Sequence, residues 1–162
     1  MRNEADLRKW VKSLDGLTQP FENKTLKCFI EWIEPGTGGT DGICDVNFRV
    51  NEVLLPIELK VWEFDEKGFF KAKLEKSQVR YHAVCAKRNI PTAIMWGTKN
   101  VKNSVLGLER IFVVHGKYAP HTVNSKVYVK QHENELFQYI LANPFSKYDL
   151  IIDIYKQLVQ MS

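Results

Sequence analysis

The chain predicts an α/β (α+β) fold, a mixed β-sheet flanked by helices with further helices toward the C-terminus. Three stretches carry this expectation: an apolar hairpin from Gly42 to Lys60, a basic amphipathic segment at about 74–89, and the short apolar run Thr92–Trp96 after Pro91. Strand, helix and strand in that order form a crossover unit whose strands lie parallel, whereas a hairpin is antiparallel, so the sheet is mixed.

Within the hairpin, Asn51-Glu52 reads as a two-residue turn, placing Val50 opposite Val53 and Asp45 opposite Glu58. Directly opposed residues have Cβ atoms about 4.5–5.5 Å apart, so two carboxylates converge. Glu58 and Lys60 lie two apart on a strand and share a face, with Leu59 on the other. Facing like charges destabilise a sheet unless something binds between them. Hard divalent cations favour carboxylate and carbonyl oxygens, which makes Asp45, Glu58 and the Leu59 carbonyl a candidate metal set. Two features weaken this reading: glutamate disfavours positive φ in such a turn, and a longer loop would shift the register; Pro56 removes a ladder donor, pointing to a bulge or locally open pairing there.

Before the hairpin, residues 3–14 predict an amphipathic helix, with Leu7, Trp10, Val11 and Leu14 on one side and Glu4 and Asp6 in the first turn. Residues 25–33 read as the first strand and 34–42 as a glycine-rich loop that lacks the Gly-Lys-Ser/Thr of a P-loop, so no nucleotide cofactor is expected. Asp41 in that loop competes with Asp45 for the metal, and Asp45 is preferred because it begins a strand. After the hairpin, 61–68 leave the sheet through a polar turn, and 97–109 are loop-like. Strands are expected at 110–114 and, as a short edge, at 127–129. Two helices follow at 132–142 and 147–160, the second with Ile151, Ile154, Tyr155 and Leu158 as an apolar stripe, either core or a dimer face. His82 is expected to be structural.

With 162 residues, 44% hydrophobic and 12% aromatic, the chain suits one folded domain over 1–162 and not a disordered segment. Cys28, Cys44 and Cys85 have neither paired nor zinc-site spacing, which suits a reducing compartment. The polar N-terminus shows no secretory signal and no apolar run is long enough to span a membrane, so a cytoplasmic protein is expected. Charge is uneven: nine acids against two bases from Glu31 to Glu66, then nine bases against one acid from Lys67 to Lys102. The first segment suits a cation and the second a phosphate backbone, although a solvated basic helix face would give the same second pattern.

Asp45, a dozen intervening residues, then Glu58-Leu59-Lys60, approached through Gly42 and followed by a helix bearing Gln78, resembles the PD-(D/E)xK nuclease superfamily. The likeness is greatest to virus-type replication-repair (VRR-NUC) and phage Holliday-junction-resolvase-like nucleases. It covers about 22–97, with Cys44 where a proline is usual. The resemblance implies a restriction-endonuclease-like core, 98–162 as C-terminal elaboration, and Mg2+- or Mn2+-dependent hydrolysis of DNA. It implies catalytic roles for Asp45, Glu58, Lys60 and Gln78, with Gln78 orienting Lys60, touching DNA, or merely solvated. A further acid from a preceding helix is common, with Glu4, Glu22 and Glu31 as candidates. Lys73, Lys76, Arg80, Lys87 and Arg88 would follow the backbone of duplex, branched or flap DNA without reading sequence. A homodimer would suit junction resolution, and a host-cytoplasm setting would suit a phage-encoded enzyme. The alternatives are a non-catalytic nucleic-acid- or protein-binding module on the same fold, and an unrelated α/β protein.

Overall fold

The computed structural model describes residues 1–33, 44–63, 69–72, 74–99, 108–118, 125–128 and 136–158. Along the chain these form α1 (Glu4–Lys12), β1 (Thr18–Phe21), β2 (Lys24–Trp32), β3 (Val46–Val50), β4 (Val53–Glu63) and β5 (Phe69–Ala72). Next come α2 (Lys76–Lys87), β6 (Ala93–Lys99), β7 (Arg110–His115), β8 (Ser125–Tyr128), β9 (Leu136–Ile140) and α3 (Ser146–Asp153), which runs on as a π-helical turn, Ile154–Leu158.

Seven strands make one mixed sheet in the order β1-β2-β3-β4-β6-β7-β9. β4 and β6 pair in parallel, as the crossover through α2 requires, and every other neighbouring pair is antiparallel. The β3–β4 hairpin keeps the two-residue turn, with Val50 paired to Val53 and Val46 to Ile57. Asn51 takes the left-handed conformation at φ 53°, so Asn51 and not Glu52 absorbs the positive φ. Its side chain accepts from the Lys27 N–H at 2.9 Å and donates to the Thr25 carbonyl at 3.3 Å, fastening the turn to β2. Of the bulge or locally open pairing expected at Pro56, no bulge occurs on the β3 side, where Asn47 pairs with Pro56 in an unbroken ladder. Pairing of β4 with β6 starts only at Ile57, so on that side no ladder partner is opposite the proline nitrogen.

Side-chain alternation divides the sheet into two faces. On one, Val46, Phe48 and Val50 of β3 and Leu55, Ile57 and Leu59 of β4 pack beneath Leu7 and Val11 of α1 and Leu150 and Ile151 of α3. Asn3 caps α1 by accepting from the Asp6 N–H, and Glu4 and Asp6 sit in its first turn. On the other face, Trp62, Ile94, Trp96, Phe112 and Val114 pack with Leu74 and Val79 near and on α2. The Trp96 and Phe112 rings stack at 5.3 Å. His82 is structural, as expected: it is buried on α2, with Nδ1 2.7 Å from Thr92 Oγ1, and burial pushes its pKa down to about 4.

Four expectations are corrected. Residues 136–140 are strand β9, paired with β7, and not part of a helix; the open edge of β7 outweighs the local helical pattern around Glu133–Ala142. β8 covers 125–128 and pairs with β5 in a separate two-stranded ribbon, not at the edge of the main sheet. β6 continues to Lys99, into what read as a loop. Finally, β4 runs on to Glu63, so Val61–Glu63 stay in the sheet and do not begin the exit turn. Of the C-terminal stripe, Ile151 and Ile154 are wholly buried in the first core, the core alternative for those two residues. The strands β1 and β5 were not anticipated. Asp41, Lys73 and the glycine-rich loop lie outside the described residues. Among the described residues no helix is long and apolar enough to cross a membrane.

Replacing Asn51 by alanine removes both turn bonds and leaves a β-carbon-bearing residue without them at positive φ. Urea denaturation is expected to show a loss of about 1–2 kcal/mol, with Asn51→Gly recovering the conformational part. An unchanged midpoint for Asn51→Ala would remove the turn from its role in fixing the register.

Candidate active site

Asp45 immediately precedes β3, and its backbone carbonyl accepts from the Ile33 N–H. Opposite it on β4, Glu58 is 3% exposed. The register thus brings the two carboxylates together, as the turn length requires. One Asp45 oxygen, Oδ2, accepts from the Leu59 N–H at 2.8 Å, and Oδ1 accepts from the Arg8 guanidinium at 3.2 Å. The N–H and C=O of one strand residue point to the same side, so the Leu59 carbonyl also points toward the Asp45 side of β4.

Lys60 stands on the same face of β4 as Glu58, with its ammonium 3.8 Å from Glu58 Oε1. Gln78, in the first turn of α2, donates from Nε2 to that same oxygen at 2.6 Å. Its carbonyl accepts from the Glu75 N–H at 3.0 Å, so both ends of the amide are fixed. Gln78 therefore orients the Glu58 carboxyl that Lys60 also faces.

Of the three upstream acids, Glu4 is the one brought to this cluster. Arg8 lies 3.8 Å from Glu4 and 3.2 Å from Asp45, with its guanidinium 5.2 Å from the Trp32 ring centroid. Glu22 sits at the β1–β2 turn with φ 54°, away from the site. Glu31 accepts from Asn47 at 3.0 Å and pairs with Arg49 at 3.5 Å. Arg8 was not singled out from sequence. Its i,i+4 pairing with Glu4 is readable, but its reach to Asp45 depends on how α1 packs.

Burial is the largest influence on Glu58, followed by the charge of Asp45; together they outweigh Lys60 and push its pKa up to about 8. Near the pair, the buried Cys44 thiol is also pushed up, by burial and by the nearby carboxylates. A carboxyl group so placed holds its proton near neutral pH unless a cation compensates.

The oxygen-only donor set, from Asp45, Glu58 and the Leu59 carbonyl, fits a hard divalent ion in kind. Among the described residues, no group of three or more His, Cys, Asp or Glu side chains is gathered as a ready metal cage. The basic positions Lys76, Arg80 and Arg88 recur at four-residue intervals along α2 and its C-cap, with Val84 between them. All four are exposed, as is Lys87 beside them, so these cations form one outward stripe. Comparison with protein-family models and with curated proteins finds no match.

The raised pKa of Glu58 fixes the sign of a pH effect. A carboxyl whose folded value lies above its unfolded one stabilises the fold fully at low pH. That contribution is lost as pH rises from about 4.5 through about 8. Glu58→Gln keeps an acceptor for Gln78 and removes the titration. Its melting temperature is expected to exceed wild type at pH 8.5, corresponding to about 1–2 kcal/mol, and to match it near pH 4. Parallel pH profiles for the two proteins would contradict the assignment.

Proposed function

We propose that this chain is a metal-dependent nuclease with a restriction-endonuclease-like core, cutting DNA phosphodiester bonds at the Asp45–Glu58–Lys60 cluster. The observation that supports it best is the buried Glu58 carboxyl held against Asp45, with a lysine and an oriented glutamine on the same oxygen. A like-charge pair of this kind costs stability and has no packing use that an apolar pair would not serve better, so a charged ligand is the natural reason for it.

In this reading Asp45, Glu58 and the Leu59 carbonyl hold Mg2+ or Mn2+. When bound, the ion lowers the pKa of a coordinated water and offsets charge on the phosphate oxygens. Lys60 supplies a fixed positive charge where negative charge builds up on the phosphate during attack. Gln78 keeps Glu58 turned toward the site, and Arg8 holds Asp45 from the side of α1. Water oxygen bonds to phosphorus, the bond to the leaving sugar oxygen breaks, and that oxygen leaves with a proton. The α2 stripe of Lys76, Arg80, Lys87 and Arg88 tracks the backbone without reading bases, which suits selection by DNA structure and not by sequence.

The engagement of both Asp45 oxygens favours a second reading, a non-catalytic binding module on the same scaffold. Cleavage of labelled duplex, flap and four-way-junction DNA with Mg2+, Mn2+ or EDTA separates the two. Metal-dependent cutting is expected, with Lys60→Ala reducing kcat by about 100- to 1000-fold. Binding without cutting under every metal condition would establish the module instead.

The α2 stripe has its own readout. Neutralising Arg80 and Arg88 together is expected to lower the slope of log affinity against log salt by about 2, one for each lost phosphate contact, with equal loss across DNA sequences. A slope equal to that of wild type places the DNA elsewhere.

A further inference from the structure

α1 and α3 cover one face of the sheet, and α2 covers the opposite face from Trp62 toward Trp96 and Phe112. The β2–β3–β4 part of that second face retains exposed apolar groups. Phe29, Arg49 and Leu54 stand side by side across the three strands, with Phe29 54% and Leu54 38% exposed. The adjacent row, in which Glu31 meets Asn47, leads to the row that begins with Asp45 and Glu58. Rows on one face repeat every two residues, about 6.6 Å, so Phe29 lies about 13 Å from the carboxylate pair along the strands. That row spacing resembles the repeat of an extended nucleic-acid strand.

The charge on this surface suits a polyanion. Lys27 is exposed on the same face of β2, two residues before Phe29, and Arg49 lies between the two apolar groups. Of the acids in these rows, Glu31 is answered by Arg49 at 3.5 Å and Asn47 at 3.0 Å, while Asp45 and Glu58 are the carboxylates of the candidate metal set.

We propose that the exposed Phe29–Arg49–Leu54 row and its neighbours form a platform for unpaired nucleotides of the strand to be cut. Bases stack on Phe29 and the Arg49 guanidinium and lie against Leu54, while the backbone passes Lys27 toward Asp45 and Glu58. Stacking on side chains needs bases freed from their own duplex. The preferred substrate is therefore DNA with a single-stranded segment, a flap or overhang, in preference to blunt duplex. This rests on the nuclease reading for the direction of the strand, but the platform itself is testable without cleavage.

The test is fluorescence anisotropy in EDTA with a labelled thymidine oligonucleotide and, separately, a blunt duplex. Phe29→Ala combined with Leu54→Ala is expected to weaken oligonucleotide binding by about 10-fold or more and duplex binding by less than about twofold. Phe29→Trp should retain affinity, with its indole emission quenched on binding. Both sites are solvent-facing, so thermal melts of the variants should stay close to wild type, and this is checked first. Equal oligonucleotide affinity for the double variant and wild type overturns the platform. So does a concentration-dependent dimer in sedimentation that Phe29→Glu dissolves, because the face would then belong to a second copy. Oligonucleotide binding through Phe29 without metal-dependent cutting sinks the nuclease reading alone. Flap cutting untouched by the double variant sinks the platform alone.

Discussion

Two residues reverse the chain between Val50 and Val53, and the length of that turn decides which side chain meets Glu58. A one-residue slip in a strand sends every side chain to the opposite face. It would turn Asp45 and Glu58 toward Leu7 and Val11 of α1 and Leu150 and Ile151 of α3 and expose the apolar set. The core therefore enforces the register, and the register in turn enforces the carboxylate pair. Asn51 contributes by accepting the conformation that glutamate resists and by bonding to β2. The geometry of the site is thus a by-product of hydrophobic alternation, set before any functional group is considered.

On that frame the electrostatics are unfavourable by construction. Glu58 is buried, faces another acid, and has one lysine and one amide in partial compensation. Arg8 adds a positive charge from α1 on the far oxygen of Asp45. Four elements thus converge on two carboxyl groups: α1, β3, β4 and α2. Of the charged groups they bring, Glu58 is the buried one, while Arg8, Asp45 and Lys60 keep part of their surface in water.

The legible parts of the sequence were those governed by local periodicity. The hairpin, its register, the helix at 76–87 and the parallel return through Ala93–Lys99 all follow from alternation, turn length and the crossover rule. So does the sharing of one face by Glu58 and Lys60. What could not be read depended on distant partners. Leu136–Ile140 has a helical pattern by itself and becomes a strand because β7 offers an edge. Arg8 lies 37 positions from Asp45 and reaches it only through the docking of α1. The position of Gln78 near the site is readable, but its hydrogen bond to Glu58 depends on how α2 docks on the sheet.

The topology also sets an order of assembly. β3 and β4 are joined by the shortest of loops, so their pairing costs little chain entropy and can form within microseconds. The β4–β6 pairing spans a helix, and the partner of Asp45 on α1 is farther still along the chain. Asp45 and Glu58 therefore meet while water still surrounds them, when their mutual repulsion is screened and small. The expense arises late, when α1 and α2 dock and Glu58 loses its water. A folding chain thus reaches its carboxylate pair by an easy route, and the final docking of the helices turns a harmless surface pair into an energised one.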